Sequence, residues 1–295
     1  MKKISPKNTY VLNKLRMWKR QLGYGIDDIF RTILWRNNEI VNHKEIRVVG
    51  LKRSGNHAII NWIRKAHYGE VWHLNNIPTE RNPYRFLYEH YPKEKLRREA
   101  TGNFVKKDCL IYNCEDYELD KITSQRFESK HDIYLGKSAT RYDVLILRDP
   151  FNLIASRIKK DMMKVRNRSK TIVEIWISYA QEYLHEKQYM KHNKVVINYN
   201  KWFTDINYRK QIASELNFEF DDRGINEVMK QGGGSSFDGL NFQGKAVEMN
   251  VLKRWEEFVD NPLFCNLLNN QELIEYSEKI FGYIPGTEYL KIHKS

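Results

Sequence analysis

The sequence predicts an α/β protein with a mainly parallel central sheet flanked by helices. Two observations carry that expectation. Short runs rich in β-branched and apolar residues recur at Glu45–Val49, Cys109–Tyr112, Tyr142–Leu147 and Lys194–Tyr199, and they lack the in–out alternation of a half-exposed strand. Segments with helical spacing separate them, which is the pattern of parallel strands joined by crossover helices. In such sheets ligands bind beyond the carboxyl ends of the strands, so the loops after Val49, Tyr112 and Leu147 are the places to search.

Each element follows from a local pattern. After the first strand, Ala58, Ile59, Trp62, Ile63 and Ala66 form a helical stripe. After the third, Pro150 suits a helix start, and Phe151, Ile154, Ile158 and Met162 share one face. Thr171 and Glu174 form a capping box ahead of a helix running to about His192. A helix is expected near Asp205–Leu216, and another with Val247, Val251, Leu252, Trp255 and Phe258 on one side. The last spans about Gln271–Ile280. Between them, residues 231–245 form a glycine-rich loop.

Composition narrows the function classes. At 295 residues, 41% apolar and 13% aromatic, the chain belongs with folded globular proteins. The formal charge of +13 favours an anionic partner or serves solubility, and does not choose between nucleotide, nucleic acid, acidic glycan and membrane surface. Cys109, Cys114 and Cys265 are too few and too scattered for a disulfide framework or a zinc site. Cys109 and Cys114 lie at an odd separation and should face opposite sides of a strand as buried thiols. No run reaches the roughly 20 apolar residues of a membrane span, and no secretory h-region is present, so a cytoplasmic location is expected. Residues 1–40 carry nine Lys or Arg against three Asp or Glu, with Leu12, Leu15, Trp18 and Leu22 at loosely helical spacing. They read as a basic helical arm, packed on a single domain of residues 41–295 or lying on a membrane surface.

The chemistry concentrates in two places. Gly50-Leu51-Lys52-Arg53-Ser54-Gly55-Asn56-His57 joins the first strand to its helix. Gly50 and Gly55 suit backbone conformations that other residues avoid. N–H groups can then converge on an anion at the helix N-terminus, with Ser54 and Arg53 adding donors. The glycine spacing is that of the Walker loop of P-loop NTPases, but Asn56 and His57 replace its lysine and hydroxyl residue. A P-loop kinase would thereby lose its phosphate-reading lysine and magnesium ligand. The second place is the end of the third strand, where Arg148 is followed eight residues later by Ser156, opposite the apolar stripe. An arginine at a strand end and a serine two turns into the next helix can hold one phosphate from two sides.

These two motifs, in this order and about 95 residues apart, resemble the signatures of sulfotransferases that use 3′-phosphoadenosine 5′-phosphosulfate (PAPS). The first signature there is a strand, a Lys or Arg, Ser, Gly and usually two Thr; here it reads Arg53, Ser54, Gly55, Asn56, His57. The likeness covers residues 45–67 and 142–158 well and Val195–Tyr199 loosely. It implies a P-loop NTPase-like sulfotransferase architecture, PAPS as sulfuryl donor, no metal, and a hydroxyl-bearing acceptor such as a carbohydrate or small metabolite. Arg53–His57 would hold the 5′-phosphosulfate, and Arg148 with Ser156 the 3′-phosphate. The Arg-Lys-Gly group of cytosolic members is missing; Ser235, Ser236 and Lys245 of the glycine-rich loop are what the sequence offers instead.

For catalysis, Arg53 would stabilise charge on the leaving oxygen and His57 would donate or relay a proton. The general base is expected beyond the strand between the signatures. Glu115 is the first candidate there, with Asp116, His73 and His90 as alternatives. The run Arg157, Lys159, Lys160, Lys164, Arg166, Arg168, Lys170 reads either as a site for an anionic glycan or as a solvated face. A nucleic-acid or membrane binder on the same fold remains the non-enzymatic alternative; nucleic acid is the less expected partner.

Overall fold

The computed structural model describes residues 23–26, 28–29, 39–166, 169–229 and 234–290. A five-stranded sheet runs in the order β2-β3-β1-β4-β5. Its strands are β1 (Ile40–Gly50), β2 (Val71–Leu74), β3 (Lys107–Glu115), β4 (Lys137–Leu147) and β5 (Val195–Asn198). All four pairings are parallel, and β1 lies at the centre between β3 and β4. The expected fold class is therefore the observed one.

Side-chain alternation divides the core in two. One face of the sheet packs Ile46, Val48, Cys109, Ile111, Val144 and Ile197 against α1 (Asn56–Ala66), with Trp202 and Ile212 of helices that follow β5. The other face packs Val49, Leu110, Tyr112, Cys114, Leu145 and Leu147 against α2 (Pro83–His90), α3 (Glu94–Ala100) and three short helical turns, α4 (Leu119–Ile122), α5 (Gln125–Glu128) and α6 (His131–Leu135). It is completed by α7 (Pro150–Ile158) and α8 (Ile172–Tyr183). Beyond β5 lie α9 (Tyr199–Thr204), α10 (Ile206–Glu215), α11 (Pro262–Leu268) and α12 (Gln271–Phe281). Cys109 and Cys114 sit on opposite faces as expected, and burial pushes both thiols up to about 12, so neither is a reactive thiolate.

Three expected helices are corrected by their ends. The helix after β4 stops at Ile158, because the chain turns at Asp161 (φ 50°) and leaves Met162 on the surface. The Thr171–Glu174 capping box is present, but α8 ends at Tyr183 rather than near His192. His185 adopts φ 62°, and the Glu182 carboxylate accepts the backbone N–H groups of Tyr189 (2.8 Å) and Met190 (3.2 Å), folding the chain back on itself. Residues 247–258 form no continuous helix, only short 3₁₀ turns at Ala246–Glu248 and Arg254–Phe258. Val251, Trp255 and Phe258 are buried as expected, while Val247 is exposed.

The stripe expected at Leu12, Leu15, Trp18 and Leu22 lies outside the described residues. Within the same arm, Asp28 pairs with Arg85 of α2 at 2.8 Å, and the Tyr24 carbonyl accepts from Arg85 at 3.1 Å. Among the described residues no helix is long and apolar enough to cross a membrane.

Candidate functional site

The loop between β1 and α1 turns through two left-handed residues. Gly55, at the helix N-cap, is left-handed (φ 87°), and Arg53 shares that region (φ 73°), a strained choice for a side-chain-bearing residue. Gly50 is small for a different reason than expected. Its φ is ordinary, but a Cβ there would stand 2.2 Å from the Asn56 side-chain oxygen. No side chain caps α1, so its first N–H groups point into the space the loop encloses.

Two buried residues hold this loop from beneath. Asp116 (φ 61°) accepts the Lys52 N–H at 2.9 Å, and its two oxygens take Arg157 at 2.8 and 3.2 Å. Arg157 also donates to the Lys52 carbonyl at 3.2 Å. Asp116 is thus committed to an ion pair under the loop and leaves the list of candidate bases.

Arg148 reaches the same loop from the end of β4. Its guanidinium donates to the Arg53 carbonyl (3.0 Å), to Ser156 Oγ (3.3 Å) and to the Val251 carbonyl. Ser156 is fully buried, not exposed opposite the stripe as its position suggested, because the loop and residue 251 cover it. Asn152 docks the later chain: its Oδ1 accepts the Arg254 N–H at 2.8 Å, and its Nδ2 donates to the Leu252 carbonyl at 3.0 Å. This brings Arg254 into the site, where it donates to Ser235 Oγ at 2.7 Å and Asp238 at 3.1 Å.

The result is a cleft with an empty volume of ≈ 760 Å³, lined by Arg53, Gly55–Ala58, Glu115, Arg148, Ser235 and Arg254, with Tyr199, Trp202 and Phe203 on one wall. Its electrostatics are those of a cation cluster awaiting an anion. Burial and the charge of Arg148 lower the pKa of Arg53, and the same two causes bring Arg254 down to about 10. Ser54 Oγ, Asn56 Oδ1, His57 Nδ1 and Arg148 Nε are buried without a hydrogen-bond partner among the described residues. A native interior seldom leaves so many orphans together unless a ligand satisfies them.

Glu115 ends β3 inside this cleft, where its carboxylate accepts from Asn56 Nδ2 at 2.9 Å. His57 lines the cleft, and burial lowers its pKa, so the imidazole is neutral at pH 7. His73 stands behind it, ring edge to ring at 6.4 Å, with its Nε2 on Asn113 Oδ1 at 2.9 Å. That oxygen already accepts the Asn76 N–H, so Nε2 carries the proton; burial first, against this bond, brings His73 down to about 4. His90 is farther off, against the Phe86 carbonyl.

One expectation fails here. Lys245 is exposed and does not line the cleft; Arg254 is the late-loop cation instead. Of the two readings of the basic run, the solvated face fits its exposed Lys159, Lys160, Lys164, Arg166 and Lys170. Arg157 is buried on Asp116, Lys159 pairs with Glu257 at 3.2 Å and Lys170 with Glu118 at 2.6 Å, while Arg168 lies outside the described residues. The reading also missed Tyr199, whose ring covers Gly55 and lies 5.1 Å from the Arg148 guanidinium. Its place at the carboxyl end of a buried strand was the available signal. For Arg254 no local signal existed, since Asn152 fixes it across 102 positions. Among the described residues no group of three His, Cys, Asp or Glu could hold a metal ion.

No family model matches the chain, and no curated protein matches it. Among solved structures it is similar to the sulfotransferase domain of the Synechococcus PCC 7002 olefin synthase, with a TM-score of 0.53 at 12% identity over 85% of this chain and 98% of that one. It is also similar to the mouse sulfotransferase SULT7A1 complexed with PAP, at 13% identity and a TM-score of 0.45 over 91% of this chain and 92% of that one. The five-stranded parallel sheet, with β1 at its centre, is therefore the sulfotransferase fold.

Proposed function

We propose that the chain transfers a sulfuryl group from PAPS to an acceptor hydroxyl. One observation carries this reading: Arg53, Arg148 and Arg254 converge with buried, unsatisfied donors on a single cleft. Two cationic sets, Arg53 with the start of α1 and Arg148 with Arg254, suit a nucleotide bearing two separate anionic groups. The Trp202–Phe203 wall suits its base. Asn56 where a kinase keeps lysine argues against phosphoryl transfer from ATP.

When bound, PAPS supplies an electrophilic sulfur joined to a phosphate oxygen that can leave. Glu115 takes the proton of the acceptor hydroxyl. The acceptor oxygen forms its bond to sulfur as the bond from sulfur to the phosphate oxygen breaks, and the electron pair stays with the phosphate. Arg53 and the N–H groups at the start of α1 stabilise that charge; such donors are worth several kcal/mol because they are already oriented. His57, neutral, stands beside the reacting oxygens as a proton relay. Asn56 holds the Glu115 carboxylate in place through its amide.

Calorimetric titration with 3′-phosphoadenosine 5′-phosphate (PAP) tests the reading. The expected result is one site of micromolar affinity, about −8 kcal/mol, with AMP much weaker because it lacks the 3′-phosphate. Arg148→Ala should weaken PAP by about 100-fold, the loss of a charge-assisted pair. No binding at roughly 100 μM PAP, where a micromolar site is saturated, would overturn it.

A further inference from the structure

A larger cleft opens along the free edge of β2, walled by α2 and α3. Its empty volume is ≈ 1810 Å³, more than twice the ≈ 760 Å³ of the nucleotide cleft. Its lining carries Arg64, His73, His90, Lys93, Lys95 and Arg166. The one acid on that lining among the described residues is Glu70, and its carboxylate is engaged by the Trp72 indole N–H. Acids on the walling helices point to other partners: Glu89 is paired with Arg81, and Glu94 with Arg97. Arg64, Lys93, Lys95 and Arg166 form no salt bridge among the described residues, and Arg64 Nε is buried without a partner.

The two clefts meet at the reacting end of the sheet. Arg166 donates to the Glu115 carbonyl at 3.3 Å and to Asn76 Oδ1 at 2.7 Å, and the His57–His73 ring pair stands between the clefts. The larger cleft therefore borders the nucleotide cleft, which holds the Glu115 carboxylate, with this ring pair as the boundary. The floor is apolar, with Trp72, Leu74, Leu87 and Leu96, and Phe86 and Tyr91 add ring faces. Such rings present apolar area to the flat faces of sugars while their edges stay polar.

We infer that this cleft receives the acceptor, and that the acceptor is an acidic oligosaccharide carrying carboxylate or sulfate groups on successive sugar units. The inference rests on the sulfuryl-transfer reading above. It differs from the sequence expectation in place: of the basic run from Arg157 to Lys170, only Arg166 lines this cleft. Cations spread over α1 (Arg64), the α2–α3 turn (Lys93), α3 (Lys95) and residue 166 suit repeated charges rather than one.

Binding of a heparin-derived hexasaccharide to the full chain tests this, with neutral maltohexaose and a single-stranded oligodeoxynucleotide of equal charge as comparisons. The hexasaccharide should bind, maltohexaose should not, and the oligonucleotide should be at least tenfold weaker. Lys93→Ala with Lys95→Ala, both exposed, should weaken the hexasaccharide at least tenfold and leave PAP affinity unchanged. Arg64→Gln should act in the same direction. PAP binding with no hexasaccharide binding, binding indifferent to Lys93 and Lys95, or equal affinity for the oligonucleotide would each overturn the inference alone. Failure of the parent chain to bind PAP would remove the transfer reading, and with it the acceptor role.

Discussion

Both ends of the sheet bury arginines, under opposite electrostatic conditions. At the amino ends, Arg47 meets Asp143 at 2.8 Å and Glu128 at 2.6 Å, and Arg141 meets Glu128 at 2.9 Å. Glu45 accepts from Tyr112 and His131 in the same layer. Despite burial, these carboxylates and Tyr112 raise the Arg47 pKa well above its ordinary value. At the carboxyl ends, Arg53 and Arg254 are driven the other way by burial and by Arg148. A compensated cluster reads as structure. A cluster of like charges, kept at a cost to the folded state, reads as a ligand site.

The largest effect that would separate the two ends is on stability. Arg47→Met leaves the buried Asp143 without its cation and Glu128 with Arg141 alone, and should cost about 3–5 kcal/mol, read from the urea midpoint, with PAP affinity retained. Arg53→Met removes one member of a repelling set. It should change stability by less than about 1 kcal/mol while weakening PAP at least about 30-fold, roughly 2 kcal/mol. Equal destabilisation by both variants would erase the distinction.

Next in size is the reaction itself. Glu115→Gln keeps an oxygen for Asn56 Nδ2, so the end of β3 and the PAP site should stay intact. Turnover should fall by about 10²–10³, the usual worth of a positioned base. Single-turnover rates beside PAP titrations check both halves. Full activity would clear Glu115, and joint loss of affinity and rate would make it a positioning residue.

The two ends were not equally legible in the sequence. Gly50–His57 and Arg148–Ser156 are contiguous with their strands, so periodicity and spacing put them at one sheet edge before any coordinates. Glu115 was within reach because it ends a buried strand. Arg254 and Tyr199 depend on long-range docking: Asn152 fixes one, and Gly55 makes room under the other. The amino-end network escaped altogether. Glu45, Arg47 and Asp143 stand inside apparently apolar strands, and only the register that puts Arg47 beside Asp143 shows that their charges cancel. β2, with two apolar residues turned inward, was too short to announce itself, and with it the second cleft was hidden.

The smallest effect sharpens the comparison through pH. Burial opposes the charge on His131, but Glu45 and the hydrogen bond to Asp132 overcome it and raise its pKa to about 9. Its contribution is complete below the unfolded value of 6.5 and is lost as pH rises through about 9. His73 is the reverse case: burial, resisted by the Asn113 bond, lowers it to about 4, so its contribution is present above 6.5 and lost as pH falls towards 4. Each limb should be on the order of 1–2 kcal/mol once solvent screening is allowed for. His131→Gln should flatten the stability profile between pH 6.5 and about 9, and also weaken it in acid, where His131 holds the Glu45 carboxyl low; His73→Gln should act only between pH 6.5 and about 4. Urea midpoints across that range decide the matter. If His131→Gln left the alkaline limb unchanged, Glu45 could not be what holds His131 charged, and the cluster would not be the self-compensated one that its geometry describes.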